Sequence, residues 1–304
     1  MTTGVIKSVK FRPMRAATLG LSDLAGLRLP LLVSPKYDGV RAIVIGGQLY
    51  SRKLKLIPNR ALQRVYGRAE LNWCEGELVS GPPTAPDCIG RSMSQVMTRM
   101  ADAKGVVMYL YDFAHEGVRH LPYAVRRAQL RAGPGVRVVK HLRVNTVGEL
   151  LMAEQRAVKE GYEGVMVRAG TAPYKCGDST LREQYLLKYK RFVDAEAVVL
   201  EVYEEMENLN PRTRDERGYA KRSTHKANKL GKGRVGGFEV RDLKTKVVFD
   251  CAPGKLTAKE RVSLWSVRAA LVGRVLTYRY QEAGVKEKPR FPRFRNWRDR
   301  KDVL

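Results

Sequence analysis

Apolar residues along the first 190 positions come in short blocks or in alternation with polar ones, the pattern of strands rather than of long helices. Leu29–Val33 and Val40–Ile45 are two such blocks. Between them runs Ser34-Pro35-Lys36-Tyr37-Asp38-Gly39, whose Asp-Gly step reads as a hairpin turn joining the two strands. A strand ends over Gln48–Arg52, and Pro58-Asn59-Arg60 opens a short helix to about Arg68. Trp73–Ser80 is a strand whose internal Gly76 leaves Glu77 where backbone or ligand can approach. Ile89–Asp102 has helical spacing and predicts a core stripe of Met93, Val96, Met97 and Met100. Val106–Phe113 reads as a buried strand, Leu121–Ala132 as a basic helix and Val136–Leu142 as another strand. Thr146 and Glu149 form a capping box for a helix that Gly161 stops, so Glu163 stands at the mouth of the next strand. Tyr185–Phe192 alternates, which puts Lys188 and Lys190 on one face.

The texture changes near residue 192. Ala195–Tyr203, Val235–Arg241, Lys246–Ala252 and Arg274–Gln281 are strand-like, and Thr257–Val272 is a helix boxed by Thr257 and Glu260. Several strands with one helix before the last strong one predict a small barrel of the OB kind. The expected organisation is therefore an α+β first domain over 1–192 and an OB-fold domain over 193–304. Met206–Arg234 interrupts the second domain, with nine basic and two acidic residues from Pro211 on. That composition predicts a loop disordered until it meets phosphate.

Charge adds a partner class. Fifty-seven Lys and Arg stand against thirty-one Asp and Glu, for a net charge of +26. The excess is spread, 31 basic against 15 acidic residues over 1–192 and 26 against 16 over 193–304. A chain basic throughout suits a polyanion held by both halves, although generic basic adhesion has the same composition. The four cysteines form no C-x-x-C pair, so neither structural zinc nor a disulfide framework is expected. No apolar run spans a membrane and no secretory leader is apparent, so a reducing interior fits.

Lys36 is the candidate for chemistry. A lysine amine is protonated near neutral pH and becomes a nucleophile only where desolvation or nearby cations lower its pKa. Arg41, Arg52, Lys188 and Lys190 can supply such charge, and the same cations would hold substrate phosphates. Glu77 and Glu163 suit a ribose hydroxyl or a divalent metal, and Tyr109 or Tyr111 could stack on a base. Together these make an inventory for nucleotidyl transfer.

The order of the parts resembles a known superfamily. Lys36-Tyr-Asp-Gly-Val-Arg41, Ser51-Arg52, Glu75-Gly-Glu77-Leu, Tyr111-Asp112-Phe113, Glu163-Gly-Val-Met-Val-Arg168 and Leu187-Lys188-Tyr-Lys190 resemble motifs I, Ia, III, IIIa, IV and V of the covalent nucleotidyltransferases. Those are the ATP-dependent DNA ligases, RNA ligases and mRNA-capping guanylyltransferases. Asp194-Ala-Glu-Ala197, Gly218–Lys226 and Pro289-Arg-Phe-Pro292 narrow the resemblance to the minimal ATP-dependent DNA ligases of viruses and phages, almost the full length of the chain. In that family Gly218–Lys226 falls at a "latch" that closes around nicked duplex DNA.

The resemblance implies a nucleotidyltransferase (adenylation) domain followed by an OB-fold domain, with ATP and Mg²⁺ or Mn²⁺ as cofactors. Lys36 would attack the ATP α-phosphate and carry AMP, which passes to the 5′-phosphate of a nick. Ser34 would lie beside the adenine and Tyr111 would stack on it. Glu77 would contact the ribose or metal, and Glu163 would bind catalytic metal. Arg41 and Arg52 would engage AMP and the nick phosphate, and Lys188 and Lys190 the α-phosphate. Arg290 and Arg298, with Asp302, fall where motif VI orients pyrophosphate, and Lys221, Arg222, Lys226 and Lys229 would hold DNA.

Three departures stand out. Asp178 replaces the arginine common before motif V, leaving its contact missing or taken by Arg182; the IIIa aromatic is Tyr rather than Phe; motif VI is loosely matched. The implied protein is a monomeric nick-sealing enzyme of bacterial or virus-infected cytoplasm, or of the nucleus in a eukaryotic host. A capping guanylyltransferase, an RNA ligase and a non-catalytic basic binding protein remain alternatives.

Overall fold

A computed structural model of the chain describes residues 11–214, 220–281 and 288–298. The chain divides into two compact units, Met1–Lys190 and Arg191–Leu304.

The first unit opens with β1 (Ala17–Leu19), β2 (Leu31–Pro35), β3 (Val40–Ile45) and β4 (Gln48–Ser51). Helix α1 (Arg60–Tyr66) starts where Asn59 Oδ1 accepts from the Leu62 amide at 2.9 Å, supplying one of the orphan N–H groups with a partner. Next come β5 (Cys74–Ser80), α2 (Cys88–Met97), β6 (Val106–Phe113) and α3 (Tyr123–Arg127). β7 (Val136–Val138), β8 (Leu142–Val144), α4 (Val147–Lys159), β9 (Val165–Arg168) and β10 (Leu187–Tyr189) complete it.

These strands form two five-stranded sheets, ordered β1-β10-β9-β2-β8 and β4-β3-β5-β6-β7. Leu150 and Ala157 of α4 pack on Leu31, Val33, Val165 and Leu187 of the first sheet. Leu62, Tyr66 and Val96 of α1 and α2 pack on Ala42, Val44, Leu78 and Met108 of the second. Phe11, Met14, Ile43, Tyr174 and Leu186 fill a further cluster between them. Each large side chain buried in this way contributes about 1.5–3 kcal/mol of transfer free energy.

The hairpin expected at Asp38-Gly39 is not there. β2 pairs with β8 and β9, whereas β3 pairs with β4 and β5, so Ser34–Arg41 crosses from one sheet to the other. Gly39 has no positive φ. A Cβ on it would lie 2.3 Å from the Leu78 carbonyl oxygen, so glycine is needed there for close approach to β5, not for a turn.

Other boundaries shift as well. Val136–Leu142 is divided between β7 in the second sheet and β8 in the first. Leu121–Ala132 contracts to the five residues of α3, and Tyr185–Phe192 to β10. The methionine stripe is only partly core, since Val96 is fully buried while Met93 and Met100 are 42% and 76% exposed. α2 ends at Met97, with Thr98 extended, which carries Met100 beyond the helix.

The second unit contains β11 (Val193–Asn208), β12 (Arg212–Arg214), β13 (Ala220–Arg222), β14 (Lys229–Asp242) and β15 (Val248–Cys251). Helix α5 (Ala258–Ser266), β16 (Val275–Gln281) and β17 (Arg290–Trp297) follow. The capping box of α5 is complete, with Thr257 and Glu260 each bonding the other's backbone amide. The sheet runs β15-β14-β11-β16-β17. It closes where the Ala252 amide donates to the Pro292 carbonyl at 3.0 Å and the Phe294 amide to the Ala252 carbonyl at 2.9 Å. A five-stranded barrel of the OB kind results, filled by Val199, Phe238, Val240, Phe249, Leu276 and Phe294.

The insertion, expected as a disordered loop, is largely strand where it is described. β11 and β14 remain paired to Asn208↔Lys229, and β12 pairs with β13 beyond them. Gly218, Tyr219 and Asp302 lie outside the described residues. No helix among those described is long and apolar enough to cross a membrane.

Candidate active site

The first sheet brings two candidate amines to one carboxylate. β9 lies between β2 and β10, with Val165 opposite both Pro35 and Tyr189. One step beyond, the Lys36 amide donates to the Gly164 carbonyl at 2.8 Å, which sets Lys36 opposite Gly164 and next to Glu163. Lys36 Nζ donates to Glu163 Oε2, and Lys190 Nζ donates to Glu163 Oε1 at 2.8 Å. Gly164 makes this approach possible: its φ is +144°, and a Cβ would stand 2.4 Å from the Tyr189 carbonyl oxygen. Ser34 and Lys188 both face Met166 across the ladders, so their side chains share that face.

A pocket opens over this face. Its lining includes Ser34, Lys36, Met166 and Arg168 from the first sheet and Arg41, Glu77 and Tyr111 from the second. Tyr109 is buried instead, stacked on Tyr37 at 4.4 Å between ring centroids, so of the two candidate tyrosines only Tyr111 reaches the pocket.

The charges are strongly coupled. Burial alone would raise the Glu163 carboxyl, but the Lys36 charge and the Lys190 hydrogen bond outweigh it and hold the group at about 2. Glu77 goes the other way, pushed up to about 7 chiefly by burial, against the pull of Lys36 and Arg41. Lys188 is lowered by burial first and then by Lys190 and Lys36. The site thus holds one firmly ionised carboxylate, one poised near neutrality and a group of amines.

Beneath the second sheet's face lies a polar network that joins Arg41 to residues that sequence reasoning left without roles. Arg41 donates through Nε at 2.8 Å and Nη2 at 2.5 Å to Glu75 Oε1, and Tyr174 donates to Glu75 Oε2 at 3.0 Å. Asp112, fully buried, accepts from Arg126 Nε at 3.0 Å and Arg168 Nη1 at 2.5 Å. The signal was a charged residue inside each of three expected strands, at Glu75, Asp112 and Arg168, of which the Asp112 strand was read as buried. An Asp112→Ala variant strands two buried guanidiniums, so it should lose about 3–5 kcal/mol of stability in denaturant unfolding.

The remaining candidates fall elsewhere. Arg41 lines the pocket with its guanidinium bound to Glu75, not turned wholly toward a ligand. Arg52 is exposed just past β4, where its charge reaches Lys188. Arg182 is exposed and is not part of the pocket lining, while Asp178 pairs with Arg15 at 2.5 Å. Arg290 and Arg298 belong to the second unit, Arg290 over the Phe291 ring and Arg298 paired with Glu196 at 2.5 Å. Arg222 spends Nη1 on the carbonyls of Asn208 (2.6 Å) and Asn210 (2.9 Å), whereas Lys221 and Lys226 are exposed and Lys229 is half-buried.

Among the described residues no three His, Cys, Asp or Glu side chains cluster as a metal site. Glu77 and Glu163 are nonetheless hard oxygen donors close enough to influence each other's charge. That pair fits a divalent cation which takes its other ligands from a bound nucleotide and water.

Comparison with known proteins bears on both units. A family model described as the ATP dependent DNA ligase domain matches residues 27–190, and one described as the DNA ligase OB-like domain matches residues 229–298. Over 154 residues the chain is 27% identical to a DNA ligase of African swine fever virus, covering 49% of this chain and 31% of that protein. A DNA ligase of Saccharolobus islandicus is 29% identical over 187 residues, covering 53% and 31%. The match therefore spans 31% of the length of these curated relatives. The solved DNA ligase-adenylate of Chlorella virus is 27% identical, aligning over 94% of this chain and 99% of that one with a TM-score of 0.51. A Lig E DNA ligase shares the fold with a TM-score of 0.68 at 23% identity, over 95% of this chain and all of that one.

Proposed function

This chain belongs to the ATP-dependent DNA ligase family, and from that membership we propose that it seals nicks in duplex DNA through an AMP adduct on Lys36. The observation that carries the reading is the Lys36 amine itself, at the edge of a Tyr111-lined pocket, held by Glu163 beside Lys190.

In the first step Lys36 Nζ, once deprotonated, forms a P–N bond to the α-phosphorus of ATP. The bond to the bridging oxygen breaks and pyrophosphate leaves. In the second, an oxygen of the nick 5′-phosphate takes AMP from the lysine. In the third, the 3′-hydroxyl attacks that phosphate, loses its proton, closes the phosphodiester and expels AMP. Each step moves a phosphoryl group with little covalent work for the protein, so positioning and charge carry the catalysis.

Lys188 and Lys190 neutralise the α-phosphate, and Tyr111 stacks on the base with Ser34 beside it. Glu77 accepts from the ribose. A divalent cation on Glu77 and Glu163, when bound, supplies charge neutralisation at the phosphates. Arg290 and Arg298 act on pyrophosphate, and Arg41 and Arg52 on the nick phosphate. The arm residues Lys221, Arg222, Lys226 and Lys229 track the DNA backbone.

Incubation with α-labelled ATP or GTP and Mg²⁺ tests the reading at its first step. Label should enter the protein from ATP and not from GTP; a GMP adduct would sink it in favour of a capping enzyme.

A further inference from the structure

Tyr111 occupies a special place in its strand. Glu75 pairs with Asp112, and the next residue, Gly76, pairs with Leu110, so Tyr111 has no partner on β5. It is the extra residue of a β-bulge, a feature that re-aims a side chain out of the strand's alternation. The β7 pairing stops at Leu110. Beyond that point the Tyr111 carbonyl accepts from the Tyr123 hydroxyl at 2.8 Å.

Tyr123, fully buried at the start of α3, is one link in a longer chain. Its oxygen lies 3.0 Å from His141 Nε2, and Arg127 Nε donates to His141 Nδ1 at 3.1 Å. A guanidinium only donates, so Nδ1 is the acceptor and Nε2 carries the proton; the hydrogen is assigned from the network. The Val139 carbonyl, 3.2 Å from Nδ1, takes its proton from Arg127 Nη2 at 3.0 Å instead. Every bond then runs one way, from Arg127 through His141 and Tyr123 to the Tyr111 carbonyl. Burial, with the charges of Arg168 and Arg127 behind it, pushes His141 down to about 3, which keeps the ring neutral and the direction fixed. The Tyr123 ring sits with the Arg168 guanidinium 4.5 Å and the Arg126 guanidinium 5.6 Å from its centroid, and Asp112 holds both.

We infer that Tyr123 and His141 are positioning residues for base recognition, fixing the Tyr111 bulge and so aiming its ring into the pocket. This rests on the reading of that pocket as the nucleotide site. Without the Tyr123 hydroxyl, the Tyr111 carbonyl and His141 Nε2–H lose partners in the interior. The bulge then loses the anchor at its own carbonyl, which favours a one-residue slip that would turn the ring to the other face.

The test uses the full chain with Tyr123→Phe, Tyr111→Leu and the double variant, and His141→Leu as a second break in the chain. Affinities for ATP and for inorganic tripolyphosphate, which has no base, are measured. Tyr123→Phe and His141→Leu should each weaken ATP by about tenfold, within the range for coupled residues, and tripolyphosphate by less than about twofold. In the Tyr111→Leu background Tyr123→Phe should add nothing. Equal losses for both ligands, or a Tyr123→Phe loss that persists undiminished without Tyr111, would overturn the inference alone. Wild-type ATP affinity in Tyr111→Leu would overturn the nucleotide-site reading and the inference with it.

Discussion

Replacing Lys36 with alanine is expected to abolish the AMP adduct while leaving affinity for nicked DNA within about threefold of the unmodified protein. The amine is the only atom of that side chain able to form the P–N bond, so no residual adduct is expected. Lys36→Arg sharpens the test. It retains a positive charge beside Glu163, but a guanidinium stays protonated and is no nucleophile, so it too should form no adduct. Binding should persist because Lys36 is one of fifty-seven basic residues, and one lost phosphate contact changes the salt slope by less than about one. Folding should also persist. The Lys36 side chain is 22% exposed, and Glu163 keeps Lys190 at 2.8 Å. The cost therefore falls below the roughly 3–5 kcal/mol of a fully buried pair broken on one side. A nick supplied already adenylated bypasses the lysine, so both variants should still close it. Adduct formed by either variant, read as labelled protein on a denaturing gel, would remove Lys36 from the mechanism.

Much of the framework was legible where local chemistry and fold agree. Trp73–Ser80 and Val106–Phe113 are β5 and β6 almost to the residue: Val106–Phe113 is nearly continuous apolar sequence, as a buried central strand requires, and Trp73–Ser80 is a short block bounded by Asn72 and Gly81. The Thr257–Glu260 box opens α5 because capping is a contact between near neighbours. At Thr146 the hydroxyl accepts from the Glu149 amide as expected, but Glu149 reaches back to the Asn145 amide, one residue early.

What failed was long-range. Asp38-Gly39 carries the local signature of a hairpin, and nothing within ten residues reveals that Gly39 is there to clear the Leu78 carbonyl. The bulge at Tyr111 and the Arg127–His141–Tyr123 chain were invisible for the same reason: they join residues brought together by separate loops. β17 went unread because R-F-P-R-F-R-N-W buries little beyond Phe294 and contains a proline, so its pattern resembles a loop. The basic insertion misled through composition. Lys221 and Lys226 stay on the surface while backbone pairing, which composition does not encode, carries β11 and β14 on to Asn208 and Lys229.

That extension changes what deleting the insertion should do. Glu205 gathers Arg234 through two bonds of 2.8 and 2.9 Å together with Arg261, tying β11, β14 and α5 at the root of the arm. Farther out, Asn210 donates to the Ser223 and His225 carbonyls at 3.0 Å, and Arg222 to those of Asn208 and Asn210. The described part of the arm is thus held by its own hydrogen bonds, and little ordering entropy there should oppose DNA binding. Asn208 and Lys229 are cross-strand partners, so residues 209–228 can be replaced by Asn-Gly to close a two-residue turn with the register intact. The cut removes six Lys and Arg and two Asp and Glu. Nicked-duplex affinity should fall by about two orders of magnitude at moderate salt, and the slope of log K against log salt should flatten by about three. On the proposed mechanism adduct formation with ATP uses none of these residues, so it should stay within about threefold. Equal loss of adduct and of DNA affinity would make the arm a structural part of the fold; an unchanged salt slope would mean that its cations never meet the phosphates.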